Sequence, residues 1–478
     1  MIFRFVFSLW LVAVVPAFGE KPADSTAVPD SMSAVTRIVD YIAHPILQAI
    51  VWPVETILVP GVRALIYPTV APIQYFMNEN VLDRTLSLIT WDKGRLMVYP
   101  TINLTSGTGS RSGFTLRHRS LFGRDTERLS AYLLYYVNGD YKTRAYITAD
   151  SLLGSGFTGR LSVEVVRVKN TSTNQPGTNS FYFYSDTSEQ YHAQLQHSVF
   201  LGFKAGVGMA FRVRRFGKAP PSLLGVDTLE SDFFRDPSTA DALNPLGYFV
   251  PAYRGLGESF LDRIWQVGIT RDTRNNENIT LTGSRLGASY VYHDAGQNHD
   301  YQEVRATYNK FFKLGKERYE ITNQEDRRRK GMNLEKFLEQ LEYEKLKNQL
   351  LSRKVVAIQF QLARSFEVGG NSMPVYGLQT LGNDTPLRGY SGSRFRNYAV
   401  AASSMEYRFP VNPIMDGVLF DEYGVSGRTF NSMDWLGYKN SWGFGIHVRR
   451  PDIYLFRMEL GFHGLSGMNF NMSVDAVY

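Results

Sequence analysis

The chain reads as all-β: a 16-stranded antiparallel transmembrane β-barrel behind a short helical segment on the periplasmic side. Three observations lead there. From about residue 95 to the C-terminus, apolar side chains recur at every second position through stretches of roughly ten residues. That is the period of a strand with one face in lipid and the other in a wet lumen. The aromatic content, 31 Phe, 28 Tyr and 6 Trp, suits a protein with two membrane interfaces to line. The first residues carry an export signal. The bulk composition, 44% hydrophobic and 20% charged, is too balanced for a bundle of membrane helices. Cys is absent, which removes a disulfide framework, Cys-ligated zinc and a thiol nucleophile, and lets the chain pass unharmed through an oxidising periplasm. The formal charge of +7 is too dilute over this length to indicate nucleic acid as a partner. The one dense basic run, residues 327–330, sits beside Glu325 and Asp326 in a mixed-charge segment.

In chain order, residues 1–19 read as a secretory signal peptide. Arg4 precedes an apolar stretch from Phe5 to Val15, and Ala17-Phe18-Gly19 places small residues at the first and third positions of a cleavage site. Residues 20–94 come next as a periplasmic region. Its first part, to residue 31, is small, polar and Pro-containing, as a flexible leader is. Val35, Ile38, Val39, Ile42, Ile46 and Ile50 then recur at helical spacing with Arg37 and Asp40 on other faces, which predicts an amphipathic helix over 32–51. Pro45, Pro53, Pro60, Pro68 and Pro72 divide the region into pieces too short to span a bilayer. Two arrangements fit: helices packed in a small domain, or a helix lying on the inner leaflet or plugging the barrel. The scarcity of charge favours the second.

Residues 95–478 form the barrel. Sixteen alternating segments lie near 95–105, 112–120, 128–136, 141–152, 158–169, 190–199, 203–215, 260–272, 280–293, 301–312, 355–366, 394–409, 416–427, 441–449, 453–463 and 468–478. In one, Val207, Met209, Phe211 and Val213 alternate with Gly208, Ala210, Arg212 and Arg214. In another, Tyr454, Phe456, Met458, Leu460 and Phe462 alternate with Leu455, Arg457, Glu459 and Gly461. A soluble sandwich also alternates, but it seldom repeats charges on its polar face. With an even count and both ends in the periplasm, even-to-odd connections should be short turns and odd-to-even ones long external loops; 170–189, 216–259 and 367–393 are the long ones. Residues 313–354 break the rule. Glu317, Glu320, Glu325, Asp326 and the basic run, with Leu334, Phe337, Leu338 and Leu341 after them, read as a charged helix inserted on the periplasmic side, which offers a docking point for a periplasmic partner.

The chain closes on Phe470, Met472, Val474, Ala476 and Tyr478 along one face. A terminal aromatic after an alternating strand resembles the sorting signal that outer-membrane barrels present to their insertion machinery. Between the eleventh and twelfth segments lies Leu387-Arg388-Gly389-Tyr390, a hydrophobe, Arg, Gly and aromatic at a loop tip; Glu406-Tyr407-Arg408-Phe409-Pro410 and Phe420-Asp421-Glu422-Tyr423-Gly424 lie on the next two strands. In these motifs, and in the turns at Leu121-Phe122-Gly123-Arg124 and Asp272–Asn276 with Gly283, the chain resembles the BamA/TamA superfamily of outer-membrane proteins, also called the bacterial surface antigen family. The resemblance covers the whole sixteen-strand region. Glu422 stands where the family's Phe-x-Asp-x-Gly has Asp.

An Arg on a long external loop can fold into a wide lumen, where its planar five-donor head bridges carboxylates on the wall while Gly389 permits close backbone approach. Glu406 and Glu422 are its expected partners, and Asp421 points the other way on a regular strand. The departure from the family is in residues 20–94, whose Pro interruptions and lack of alternating strands argue against a POTRA domain, so the chain looks like a POTRA-less branch.

Enzyme chemistry, a metal site and a cofactor find no support. There is no Gly-x-Ser-x-Gly elbow, and Gly154–Gly159 leads into a strand rather than a helix. His192 and His197, an odd number apart, fall on opposite faces of a strand. The resemblance implies a bacterial outer-membrane protein that acts in insertion or translocation of protein or lipid through a weak lateral seam, with outer-membrane lipid and the insertion machinery as partners. Pro100 in the first strand agrees, since it cannot donate a ladder hydrogen bond. A passive pore or solute channel and a scaffold for a periplasmic partner are the rival readings.

Overall fold

The computed structural model describes Gln48, 90–91, 95–105, 109–118, 127–136, 141–149, 157–174, 181–199, 201–216, 259–276, 279–296, 299–314, 353–370, 373–382, 386–390, 395–412, 415–435, 437–450, 453–464 and 467–474. The predicted signal peptide, the helix over 32–51 and the rest of residues 20–94 apart from Gln48 and 90–91, the inserted helix between 315 and 352, the turn at 121–124 and Tyr478 lie outside the described residues.

Sixteen strands form one antiparallel ring: β1 (Leu96–Thr105), β2 (Gly109–His118), β3 (Glu127–Tyr136), β4 (Tyr141–Ala149), β5 (Phe157–Asn174), β6 (Phe181–Ser198), β7 (Phe203–Phe216), β8 (Ser259–Asp272), β9 (Gly283–Asp294), β10 (Tyr301–Lys313), β11 (Val355–Glu367), β12 (Ala399–Asn412), β13 (Met415–Gly427), β14 (Lys439–Arg450), β15 (Ile453–His463) and β16 (Gly467–Val474). Each pairs with its sequence neighbours, and β16 pairs back to β1, from Asn471↔Thr105 to Val474↔Ile102. A two-residue strand, Thr90–Trp91, adds to β1 opposite Leu96 and Met97. Closure is what a membrane demands, because lipid satisfies no backbone donor or acceptor. Among the described residues no helix is long and apolar enough to cross a membrane.

The alternation sets the two faces. On β8, Leu261, Trp265, Val267 and Ile269 are exposed outward while Phe260, Asp262 and Ile264 are buried inward. Val207, Met209 and Phe211 on β7 repeat the outward pattern. His192 and His197 do fall on opposite faces: His192 lines the lumen, and exposed His197 stacks on Phe157 at 4.3 Å.

Three expectations need correction. Residues 170–189, read as a long loop, are mostly strand, because β5 and β6 each run 18 residues and stay paired as far as Asn174↔Phe181. Residues 169–174 are all polar and 181–184 all aromatic, so neither run alternates at period two and neither is marked as strand by its pattern. The twelfth strand begins at Ala399, not at 394, since Phe395–Asn397 pairs instead with Gln379–Leu381 in a small separate hairpin of the long loop. Tyr454 does not share the outward face of Phe456. A register shift at Val448/Arg449 precedes it, and its ring packs on inward-facing His447 at 5.0 Å.

The turn after β8 is fixed by side chains. The Asp272 carboxylate accepts the Arg274 backbone N–H (3.1 Å) and Nη2 (2.6 Å), and Asn275 Oδ1 accepts the Leu281 and Thr282 N–H groups at 2.9 and 3.0 Å. Gly283 closes it at φ +99°, where a Cβ would collide with the Thr273 carbonyl.

Candidate lumen site

The loop between β11 and β12 turns inward and seats residues 386–390 against five consecutive strands. Leu387 is fully buried among Ala363, Leu381, Val400 and Ala402, at a φ of 94° that a non-glycine residue adopts only when its surroundings hold it there. Gly424 on β13 makes the room, since a Cβ there would sit 2.7 Å from Leu387 Cδ1.

Arg388 is the centre of the cluster. Its Nε donates to Glu422 Oε1 (2.8 Å), and Nη1 donates to both Glu406 Oε2 (2.9 Å) and Glu459 Oε1 (3.1 Å). The other oxygen of Glu422 accepts the backbone N–H groups of Leu387 (2.9 Å) and Arg388 (2.5 Å), so one carboxylate holds the loop by both main chain and side chain. The guanidinium lies over the Phe420 ring at 3.7 Å to the centroid, a cation–π contact in a largely dry setting. Arg408 Nε donates to the second oxygen of Glu406 (2.6 Å), and His447 Nε2 lies 2.8 Å from Glu459 Oε1. Burial works against the Arg388 charge, but Glu422, Glu459 and Glu406 outweigh it and hold the group further above its already high range.

The rest of the motif reaches the last three strands. The Gly389 N–H donates to Ser441 Oγ on β14 (2.6 Å), and its carbonyl oxygen lies 2.6 Å from His463 Nδ1 on β15. Tyr390 stacks on His463 at 4.5 Å. On β16, Asn469 Nδ2 donates to the Arg388 carbonyl at 2.8 Å, and Asn471 Nδ2 reaches the same oxygen at 3.4 Å. A Cβ on Gly389 would sit 2.5 Å from the Phe462 carbonyl oxygen, so only glycine comes this close to the wall.

Leu387, Arg388, Gly389, Tyr390, Glu406, Phe420, Glu422 and Gly424 are thus together in the lumen. Asp421 faces the other way, accepting from Tyr423 Oη (2.6 Å) and Asn440 Nδ2 (2.8 Å). Pro100 and Phe470 are elsewhere: exposed Pro100 pairs with outward Phe114 on β2, and Phe470 pairs with Leu460 on β15. Sequence reasoning missed Glu459, Ser441, His463, Asn469 and Asn471. All five lie on inward positions of their strands, and for Glu459 that parity was readable; nothing in the sequence aims the loop at the other four.

Chemically this is a clamp. Among the described residues no group of three or more His, Asp or Glu side chains is arranged to hold a metal ion, and the three carboxylates here are engaged by Arg388.

Residues 239–473 match the Omp85 superfamily domain, a span that runs from β8 into β16 and holds the whole loop motif. Among solved structures, the chain is similar to BamA from Haemophilus ducreyi lacking POTRA domains 1–3, at 13% identity and a TM-score of 0.52, with 80% of this chain and 70% of that one covered. It is also similar to CdiB from Acinetobacter baumannii, at 10% identity and a TM-score of 0.46, covering 80% of this chain and 60% of that one. At such identities the BamA likeness is one of fold. No curated protein matches the sequence.

Proposed function

We propose that this chain, a member of the Omp85 superfamily and a barrel of the bacterial outer membrane, inserts or translocates protein or lipid there, and that the β16–β1 closure is the part that opens. The observation that carries the reading is the reach of the lumen loop. Residues 387–390 are bonded to β12, β13, β14, β15 and β16, the last five strands before the closure. That bracing ties the wall together up to the last strand, and the β16–β1 closure lies at its edge. Pro100 weakens the far side, since one N–H is missing from β1.

The test is a lock across the closure. Ile102 and Val474 are register partners, within the separation a disulfide spans, and the chain has no Cys of its own to interfere. Cys at both positions should bridge on oxidation, leave the barrel folded and abolish activity, with reduction restoring it. A locked barrel that complements a deletion as well as the wild type refutes lateral opening. In planar bilayers small flickering currents are expected; a large, steady, ion-selective conductance would favour a passive pore instead.

A further inference from the structure

The lumen wall from β4 to β10 differs from the wall that holds the loop. It encloses an open cavity of about 470 Å³, continued by a second of about 410 Å³. Arg160, Gln266, Ser289 and Arg305 line both. The space exists because inward positions on β7 and β8 carry Gly206, Gly208 and Gly268, which send no side chain into it.

Its lining carries more cations than carboxylates: Arg144, Arg160, Arg212 and Arg305 face the cavity, and among the described residues Glu303 is the one carboxylate that lines it. Three of these cations have carboxylate partners on the same, inward face. Arg144 pairs with Glu164; Arg212 Nη1 lies 3.7 Å from the fully buried Asp262, which also lies 3.0 Å from His293; Arg305 is 3.9 Å from Glu303. Arg160 stands over the Tyr146 ring at 4.4 Å, and among the described residues no carboxylate is in ion-pair contact with it. The strand register adds amides beside it: Arg160 is opposite Gln194, and on the next row Gln190 is opposite Arg212 and bonded to it at 3.0 Å.

We infer that this cavity binds a compact, multiply charged oxyanion of the phosphate or diphosphate class. A cleft with several cations and low-dielectric walls concentrates anions. Guanidinium forks match tetrahedral oxyanions two oxygens at a time, and a dianion with three or four oxygens engages several forks at once where a carboxylate serves fewer. The volume lies in the range of small-ligand sites, about 300–1,000 Å³. The site is independent of the Arg388 clamp, which sits on other strands and already holds its own carboxylates.

The experiment uses the purified full chain in detergent micelles at low salt, with inorganic pyrophosphate titrated by calorimetry and phosphatidic acid supplied in mixed micelles. Saturable binding is expected, weakened about tenfold or more by Arg160→Gln and by Arg305→Gln, the loss expected from one charge-assisted hydrogen bond. Arg263→Gln, on the outward face beside Asp294, should leave it unchanged. The heat-dependent gel mobility of each variant checks that the barrel is folded. Displacement of pyrophosphate by phosphatidic acid identifies a lipid headgroup as the source of the phosphate; pyrophosphate binding that phosphatidic acid does not disturb identifies a free one. Absence of saturable binding by both probes, or binding that folded Arg160→Gln and Arg305→Gln retain in full, overturns the inference, as does an equal loss in Arg263→Gln.

Discussion

Replacing Arg388 by Ala should destabilise the barrel through the carboxylates it leaves behind. The three are not equally exposed to that loss. Glu406 keeps Arg408 at 2.6 Å and Glu459 keeps His447 at 2.8 Å, but Glu422, whose side chain is only 3% exposed, retains the two backbone N–H groups of the loop and a long contact to Ser404 at 3.4 Å. Breaking a buried ion pair from one side costs ~3 kcal/mol or more, and the lost contact with the Phe420 ring adds on the order of 1 kcal/mol. Arg388→Lys should fall between, because a compact ammonium cannot fork to Glu422, Glu406 and Glu459 together. The assay is urea unfolding of the full chain in lipid vesicles, monitored by Trp fluorescence and by the fraction with folded mobility on an unheated gel. A cycle with Glu422→Gln should show Arg388→Ala costing less in the Gln background, by roughly 0.5–3 kcal/mol. Equal midpoints for wild type and Arg388→Ala, or strict additivity in the cycle, would refute the argument.

Gly389→Ala should push the loop off β14 and β15, because its Cβ would meet the Phe462 carbonyl and Ser441 Oγ (2.7 Å); faster protease cleavage in the 383–394 segment, with the barrel still folded, reads this out, and wild-type resistance would contradict it. Gly283→Ala combines a positive φ with a clash on Thr273 and should cost ~1–3 kcal/mol, seen as a lower urea midpoint than Gly370→Ala, which has a positive φ but open space around it. For residues 32–51 the helical spacing predicts that spin labels at Ile38, Ile42 and Ile46 are shielded from a water-soluble quencher while one at Arg37 is not; equal quenching at Arg37 and Ile42 would end that reading.

The sixteen strands were legible because each residue in them sees one of two solvents, and a two-solvent wall writes itself into the sequence at period two. Where the sequence loses that alternation the strand is not legible, as in the all-polar 169–174 of β5 and the all-aromatic 181–184 of β6. The clamp was legible in part. Glu406 and Glu422 sit in recognisable motifs and on inward parity, so an arginine on the loop just before them has an obvious destination. The positive φ of Leu387, the shift that turns Tyr454 inward, and the Asn469 and Asn471 bonds to the Arg388 carbonyl depend on where a long loop comes to rest, and no local pattern encodes that.

The two halves of the lumen share one physical problem and meet it differently. Inward carboxylates gather on β12, β13 and β15, where Glu406, Glu422 and Glu459 face one another, and this charge is met by a cation that the chain delivers on its own loop. Inward arginines gather on β4, β5, β7 and β10, where among the described residues Arg160 has no carboxylate in ion-pair contact. A buried charge without a counter-charge is costly, so the acidic half is packed and stiff, whereas the basic half stays open to solvent. The clamped half ends at β16, so the opening proposed for the β16–β1 closure lies at the edge of the clamped wall rather than within it.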